Sequence, residues 1–220
     1  MNESAALQSV TLCEHPLAQH NLSVLRSRHC DNERFRLALT RIARLLMHEA
    51  ANDLPLTPAL VETPVARAEC RTLAPDAPIL IAPILRAGLA LSAVALDFLP
   101  EASVYHIGVY RDEATLTPVT YYNKLPESID YSRARVFVLD PMLATGGSAV
   151  AAIDMILRLG ASLDHLRLVC VIAAPEGIAH LQERHPGVRI ITAAVDKRLN
   201  EKGYIVPGLG DAGDRTFGTV

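Results

Sequence analysis

The residues best suited to chemistry cluster between Val136 and Ser148, where the chain reads Val-Phe-Val-Leu-Asp140-Pro-Met-Leu-Ala-Thr145-Gly-Gly-Ser148. A short apolar, β-branched run has the pattern of a buried strand, and an acid stands at its carboxyl end. The Ala/Ile/Leu/Met-rich residues 149–159 then make the Thr-Gly-Gly-Ser turn the start of a helix. A glycine turn at a helix start gathers several N–H groups on one point, and the helix dipole favours an anion there. Thr145 and Ser148 add hydroxyl donors. The unit is suited to holding a phosphate, with Asp140 placed to accept hydrogen bonds from hydroxyls beside it. A plainer reading, a strand-to-helix connection with a serine cap, uses the same residues.

Two other phosphate motifs are excluded. A Walker A loop needs a lysine after its last glycine, and neither Gly146 nor Gly147 is followed by one. Gly208-Leu-Gly210-Asp-Ala-Gly213 has dinucleotide-binding spacing, but only seven residues follow Gly213, too few for the helix and second strand of that motif.

Two arginines stand where the same chemistry needs them. Arg86, in Pro83-Ile-Leu-Arg86-Ala-Gly88, joins an apolar strand to a helix, and its planar fork suits a bidentate phosphate contact. Arg111 closes the next strand ahead of Asp112-Glu113. The plain alternatives are an Arg86 paired with a carboxylate and a solvated charge cluster at Arg111. If the strands run parallel, Arg86, Arg111, Asp140 and the 145–148 turn meet in one crevice, beyond the strands' carboxyl ends. Such a crevice fits a ligand with phosphates at two ends, and a long loop over 112–128 is placed to close on it. The glycine-rich tail, Asp196 to Thr219, also carries Ile205, Val206, Leu209 and Phe217, which argues for an ordered loop. Gly lets backbone approach a ligand closely, so this loop is able to read a planar base through N–H and C=O groups.

The elements that must position these residues follow from periodicity. Phe35, Leu39, Ile42 and Leu46 recur at helical spacing and predict an amphipathic helix over Glu33–Asn52, docked on a core or a subunit partner. Residues 1–30 read as irregular, with His15-Pro16 as a local stop, and Leu60–Arg71 as an edge strand or arm carrying Pro64. Strands are expected at Ile79–Ala82, Val104–Tyr110, 135–140, 166–174 and Val188–Ala194. Helices are expected at Gly88–Phe98, after Ser148 and over 175–185, and Arg111–Ile129 reads as a long loop. Strands alternating with helices imply an α/β fold with a mostly parallel sheet flanked by helices.

Composition sets further bounds. The 220 residues suit one α/β domain, and with 50% apolar and 20% charged residues a sizeable core is available. A formal charge of −3 gives no general attraction to nucleic acid or to acidic membranes. Cys13, Cys30, Cys70 and Cys170 lack C-x-x-C spacing and read as reduced packing thiols, which with no leader-like start points to a cytoplasmic protein. The eight histidines show no zinc spacing, and no Gly-x-Ser-x-Gly occurs, so a zinc centre and a serine triad are not expected.

Taken together, His15-Pro-Leu17, Glu49-Ala50, Pro83-Ile-Leu-Arg-Ala-Gly88, Tyr110-Arg-Asp-Glu113, Lys124-Leu125, Asp140 through Ser148, Ala173-Ala-Pro-Glu-Gly177 and Asn200 through Thr219 resemble the uracil phosphoribosyltransferases, a branch of the type I phosphoribosyltransferases. The resemblance implies one domain over 1–220. Its parts would be a PRPP-binding core at about 79–195, a uracil-binding segment at about 196–220, and an N-terminal helix and β-arm within 1–78. It implies transfer of the phosphoribosyl group from 5-phosphoribosyl-1-pyrophosphate (PRPP) to uracil N1, giving UMP and pyrophosphate in pyrimidine salvage. PRPP would be bound by Arg86, Arg111, Asp140, Pro141, Met142, Leu143, Ala144, Thr145, Gly146, Gly147, Ser148 and Asp211. Uracil would be bound by Ile205, Gly210, Asp211 and Ala212, and the residues nearest the chemistry would be Asp140, Asp211 and Arg111. Mg2+ would arrive with PRPP instead of occupying a protein site, GTP is an effector of some relatives, and a homodimer or higher homo-oligomer is expected, with the 33–52 helix or the 60–71 arm as contacts. Most type I enzymes carry paired acids after the central strand, whereas here Pro141 follows Asp140, leaving one carboxylate for the ribose. The alternatives are a phosphoribosyltransferase for another base, which would differ in the tail, a PRPP- or UMP-sensing RNA-binding regulator, which would need a basic surface, and a structural protein.

Overall fold

Strand residues that are apolar on both faces must be covered on both faces, and the sheet is built accordingly. In the computed structural model, which describes residues 9–111 and 118–219, the central strands are β4 (Ile79–Leu85), β8 (Arg135–Leu139), β10 (Leu166–Val169) and β12 (Arg189–Thr192), almost wholly buried. With β1 (Val10–Leu12), β5 (Ser103–Val104), β6 (Ile107–Arg111) and β7 (Pro118–Asn123) they form an eight-stranded sheet, ordered β1-β12-β10-β8-β4-β6-β7 with β5 also on β4. Every pairing is parallel except β6 with β7. The register sets Leu80 beside Val136 and Val138 beside Leu168, so the strands' carboxyl ends share one edge.

One face of the sheet is covered by α1 (Pro16–Arg26), α2 (Asn32–Ala51) and α3 (Leu89–Phe98), the other by α4 (Gly147–Arg158) and α5 (Pro175–Arg184). The predicted stripe on α2 is the buried one: Phe35, Leu39, Ile42 and Leu46 are each no more than 2% exposed. Full burial of such side chains stabilises by roughly 1.5–3 kcal/mol each. The helix starts where Asp31 accepts a hydrogen bond from the Arg34 N–H at 2.8 Å.

Several expectations need correction. Residues 9–30 are not irregular, since β1 adds to the sheet edge and α1 runs for 11 residues, with Pro16 in its first turn where a missing N–H costs nothing, and residues 1–8 lie outside the described residues. The expected strands 104–110, 166–174 and 188–194 are each interrupted. The last two step sideways beyond the main sheet into β11 (Ile172–Ala173) and β13 (Ala194–Val195), which join β9 (Met142–Leu143) in a second small sheet at the crevice edge. Within the expected loop 111–129, β7 folds back on β6; residues 112–117 and the Arg111 side chain lie outside the described residues. The arm at 60–71 is a hairpin of β2 (Leu56–Glu62) and β3 (Arg67–Leu73), mostly exposed, with Val65 at its tip 94% accessible. The four cysteines are free, as expected, but Cys70 on this arm is exposed instead of packed.

A backbone contact ties the start of α3 to the sheet. A Cβ on Gly88 would lie 2.4 Å from the Leu139 carbonyl oxygen and 2.6 Å from the Ile84 nitrogen, both backbone atoms that cannot step aside. Gly88→Ala is therefore expected to destabilise the protein by about 1–3 kcal/mol, the usual cost of overpacking, read as a lower midpoint in urea unfolding at unchanged slope.

Candidate active site

Where β8 ends, Asp140 lies half-buried at the junction of three adjoining clefts. The first, about 320 Å³, lies between Ala87, Asp140, Met142 and Ala144 on the sheet side and Lys202–Ile205 and Gly210–Gly213 of the tail. The second, about 190 Å³, is bounded by Arg86, Ala87, Val109, Ser148 and Asp211. The third, about 100 Å³, is bounded by Met142 to Gly146, Ser148 and Ala149. One acid thus faces all three, an arrangement that fits a ligand with a central polyol and two or three arms.

The third cleft is an anion cradle by construction. Gly146, at φ 82°, is the N-cap of α4 and supplies no capping side chain, so the first N–H groups of that helix have no intrahelical or capping partner. The helix begins at Gly147, two residues before the apolar run suggested. Behind the loop, a Cβ on Gly177 would lie 2.4 Å from the Ala144 carbonyl oxygen, so only glycine lets α5 pack this closely. The His180 Nδ1 lies 2.8 Å from the Thr145 carbonyl oxygen, a contact that no sequence motif signals.

Burial pushes the Asp140 carboxyl up to about 7; the Met142 N–H, 3.3 Å from Oδ1, opposes this, and the Asp211 charge reinforces it. Asp140 is thereby held back from full ionisation until a cation or a hydrogen-bond donor joins it. Asp211 also serves locally as the N-cap of α6 (Ala212–Phe217), accepting from the Asp214 N–H at 2.9 Å. Arg86 stands exposed at the mouth, its guanidinium 3.2 Å from Asp214. The carboxylate pairing weighed against a phosphate role for Arg86 is thus present, with most of its donors left over. The structure brings Arg86, Asp140, the 144–148 turn, Ile205, Gly210, Asp211 and Ala212 to one crevice; β6 carries the Arg111 backbone to the same edge.

The tail is ordered because it is tied to the amino-terminal helices. Arg26 of α1 meets Asp196 at 2.5 Å and donates to the Gly208 carbonyl at 2.8 Å, while Asp196 accepts the Gly208 N–H at 2.9 Å. Arg215 donates to the carbonyls of Leu25, Leu209, Ser27 and Cys30 and lies 4.4 Å over the Phe35 ring. Ile205, Leu209 and Ala212 join the main core. Sequence reasoning missed Arg26, Asp196 and Arg215, as well as Lys202 and Tyr204 at the rim of the first cleft. Partners some 170 residues apart leave no local pattern.

The mostly parallel sheet flanked by helices, which ends in a strand-end acid and a helix-start glycine turn, has the fold of the type I phosphoribosyltransferases. The adenine phosphoribosyltransferase of Trypanosoma brucei shares this fold at a TM-score of 0.53 and 12% identity, covering 89% of this chain and 87% of that one. The model of the uracil phosphoribosyltransferase family matches residues 12–219, and the chain belongs to that family. It is 50% identical over 206 residues to the uracil phosphoribosyltransferase of Levilactobacillus brevis, covering 94% of this chain and 96% of the relative. With that of Streptococcus pneumoniae the figures are 51% over 210 residues, 96% and 98%. The AQ2163 protein of Aquifex aeolicus superposes at a TM-score of 0.87 with 38% identity, covering 96% of this chain and 98% of that one.

The Arg26–Asp196 pair is the test of how the tail is held. Arg26→Met leaves a carboxylate that is 5% exposed without its partner, and breaking such a buried pair costs about 3–5 kcal/mol. Faster hydrogen exchange at the Gly208 amide together with lower global stability is expected; an unchanged Gly208 amide would show that the loop is held elsewhere.

Proposed function

We propose that this chain transfers the phosphoribosyl group of PRPP to uracil N1, releasing pyrophosphate and forming UMP in pyrimidine salvage. The observation that carries the reading is the junction of three clefts on Asp140, which matches a ribose ring bearing a 5′-phosphate, a pyrophosphate and an incoming base. Ala144 to Ser148 would cradle the 5′-phosphate, with Pro141 to Leu143 forming the approach from the strand. Asp140 would accept the ribose hydroxyls, and Arg86 and Arg111 would take the pyrophosphate, Arg86 exchanging Asp214 for the ligand. Uracil would lie against Ile205, with backbone groups of Gly210 and Ala212 reading its edge and Asp211 between the base and the pyrophosphate. In domain terms, 79–195 supplies the PRPP core and 196–220 the base reader, with 1–78 bracing the tail and carrying the arm.

The reaction forms the N1–C1′ bond, breaks the bond from C1′ to pyrophosphate and passes the uracil N1 proton to the released pyrophosphate. Positive charge develops on the ribose ring, so alignment of the two reactants and neutralisation of the leaving group supply most of the acceleration. Among the described residues no three His, Cys, Asp or Glu side chains form a metal-binding group. Asp140 and Asp211 facing the crevice nevertheless suit a divalent ion shared with a polyphosphate, so Mg2+ is proposed as a companion of PRPP that neutralises the leaving pyrophosphate.

Further readings are proposed more narrowly. The exposed β2–β3 arm, with Leu60 65% accessible, supports a homodimer or higher homo-oligomer. GTP as an effector rests on the resemblance to relatives alone. No helix among the described residues is long and apolar enough to cross a membrane, which is consistent with the proposed cytoplasmic location.

The direct test offers uracil, cytosine, orotate and hypoxanthine separately with PRPP and Mg2+ and resolves the products by chromatography. UMP from uracil alone is expected; a different nucleotide would retain the PRPP site and overturn the base assignment. The pH dependence follows from Asp140. Its carboxyl is raised to about 7, so the folded protein keeps a proton that an unfolded chain releases near pH 4, and this group lowers stability as pH rises through that window. Accepting ribose hydroxyls needs the ionised form, so kcat/KM for PRPP should climb with pH through about 7. Asp140→Asn should lose that limb and about 10- to 100-fold in kcat/KM, as expected for charged hydrogen bonds worth about 1.5–3 kcal/mol.

A further inference from the structure

The contact between α5 and the back of the anion turn has a consequence for how the turn is shaped. His180 Nδ1 lies 2.8 Å from the Thr145 carbonyl oxygen. A carbonyl oxygen only accepts, so Nδ1 carries the hydrogen and donates it. In a trans peptide the carbonyl and the next N–H point to opposite sides of the chain. Holding the Thr145 oxygen on the α5 side therefore turns the Gly146 N–H to the other side, where Asp140, Thr145, Ser148 and Ala149 bound the small cleft.

The turn needs such a latch. Gly146 and Gly147 adjoin, and paired glycines leave the intervening peptides many conformations in which the N–H faces away from a ligand. Gly146 sits in the left-handed region at φ 82°, and no side-chain hydrogen bond caps the helix it precedes. On its α5 side, a Cβ at Gly146 would lie 2.9 Å from the Gly177 carbonyl oxygen and 3.4 Å from His180 Nδ1, so turn and helix already touch there. His180 lies one helical turn after Gly177, which puts its ring over the same spot.

We propose that His180 is a positioning residue for PRPP: its Nδ1–H holds the Thr145–Gly146 peptide in the orientation that directs the Gly146 N–H at the 5′-phosphate. The proposal rests on reading Ala144 to Ser148 as the phosphate cradle. His180 touches neither substrate and acts only through the backbone of the turn.

The test compares wild type, His180→Ala and His180→Asn, whose side-chain amide places an N–H donor near the position of Nδ1. Calorimetry with UMP probes the 5′-phosphate cradle, and calorimetry with pyrophosphate and Mg2+ probes the Arg86 side. Steady-state assays give KM for PRPP and for uracil. His180→Ala is expected to weaken UMP binding and raise KM for PRPP by about three- to tenfold, the fold-change of one hydrogen bond. Pyrophosphate affinity, KM for uracil and the thermal midpoint should stay near wild type, and His180→Asn should recover most of the UMP affinity. Unchanged UMP affinity in His180→Ala, or parallel loss of UMP and pyrophosphate affinity with a lower thermal midpoint, would overturn the positioning role. Ser148→Asp separates the two levels, because it places a carboxylate in the small cleft: if it binds UMP as wild type does, the cradle assignment itself fails, and the role of His180 with it.

Discussion

Everything at the crevice depends on parallel strands ending along one edge, because parallel pairing forces each connection to leave from the same side. β4, β8 and β6 deliver Arg86, Asp140 and Arg111 to that edge without any of these residues having to be near one another in the chain. Close backbone approach then sets the dimensions. Gly88 lets α3 start directly over the end of β8, and Gly177 lets α5 press on the back of the anion turn. Interiors packed to crystal-like density transmit such spacings without slack. The clefts consequently sit in rigid surroundings, although one of them is closed by a tail.

That tail is the part most exposed to disorder on composition alone, and its order comes from buried polar contacts. Arg26 and Asp196 satisfy each other and both backbone groups of Gly208. Arg215 collects four carbonyl oxygens around a stacking contact with Phe35. A guanidinium is suited to this because it presents five donors in a fixed plane and stays charged. The amino-terminal helices therefore do more than cover the sheet, for they form the wall against which the tail is braced. Electrostatics at the centre runs the other way. Asp140 is left short of donors, with its carboxyl raised by burial and by Asp211. A site that keeps a carboxylate under-satisfied gains more when a ligand brings hydroxyls and a cation than a site already at rest.

The sequence by itself determined the sheet's core strands, the α2 face, the glycine turn that opens α4, and the placing of Arg86 and Asp140 at the crevice. Each is signalled locally: by an apolar run, by a 3.6-residue period, or by glycines at a strand-to-helix junction. The fold class and the family were legible for the same reason. Local signals failed where structure is made by distant partners. Val10–Leu12 is a strand only because β12 offers it an edge, and β7 exists only against β6. At the step into β11 the Pro141 carbonyl accepts the Val171 and Ile172 N–H groups, and at the step into β13 the Val171 carbonyl accepts the Ala193 N–H, contacts that a single strand's pattern cannot contain. Only the tertiary structure decided that Arg26, Asp196 and Arg215 hold the tail and that His180 reaches the Thr145 carbonyl. Those contacts are hydrogen bonds and ion pairs between segments as much as 190 residues apart, and spacing along a chain carries no record of them.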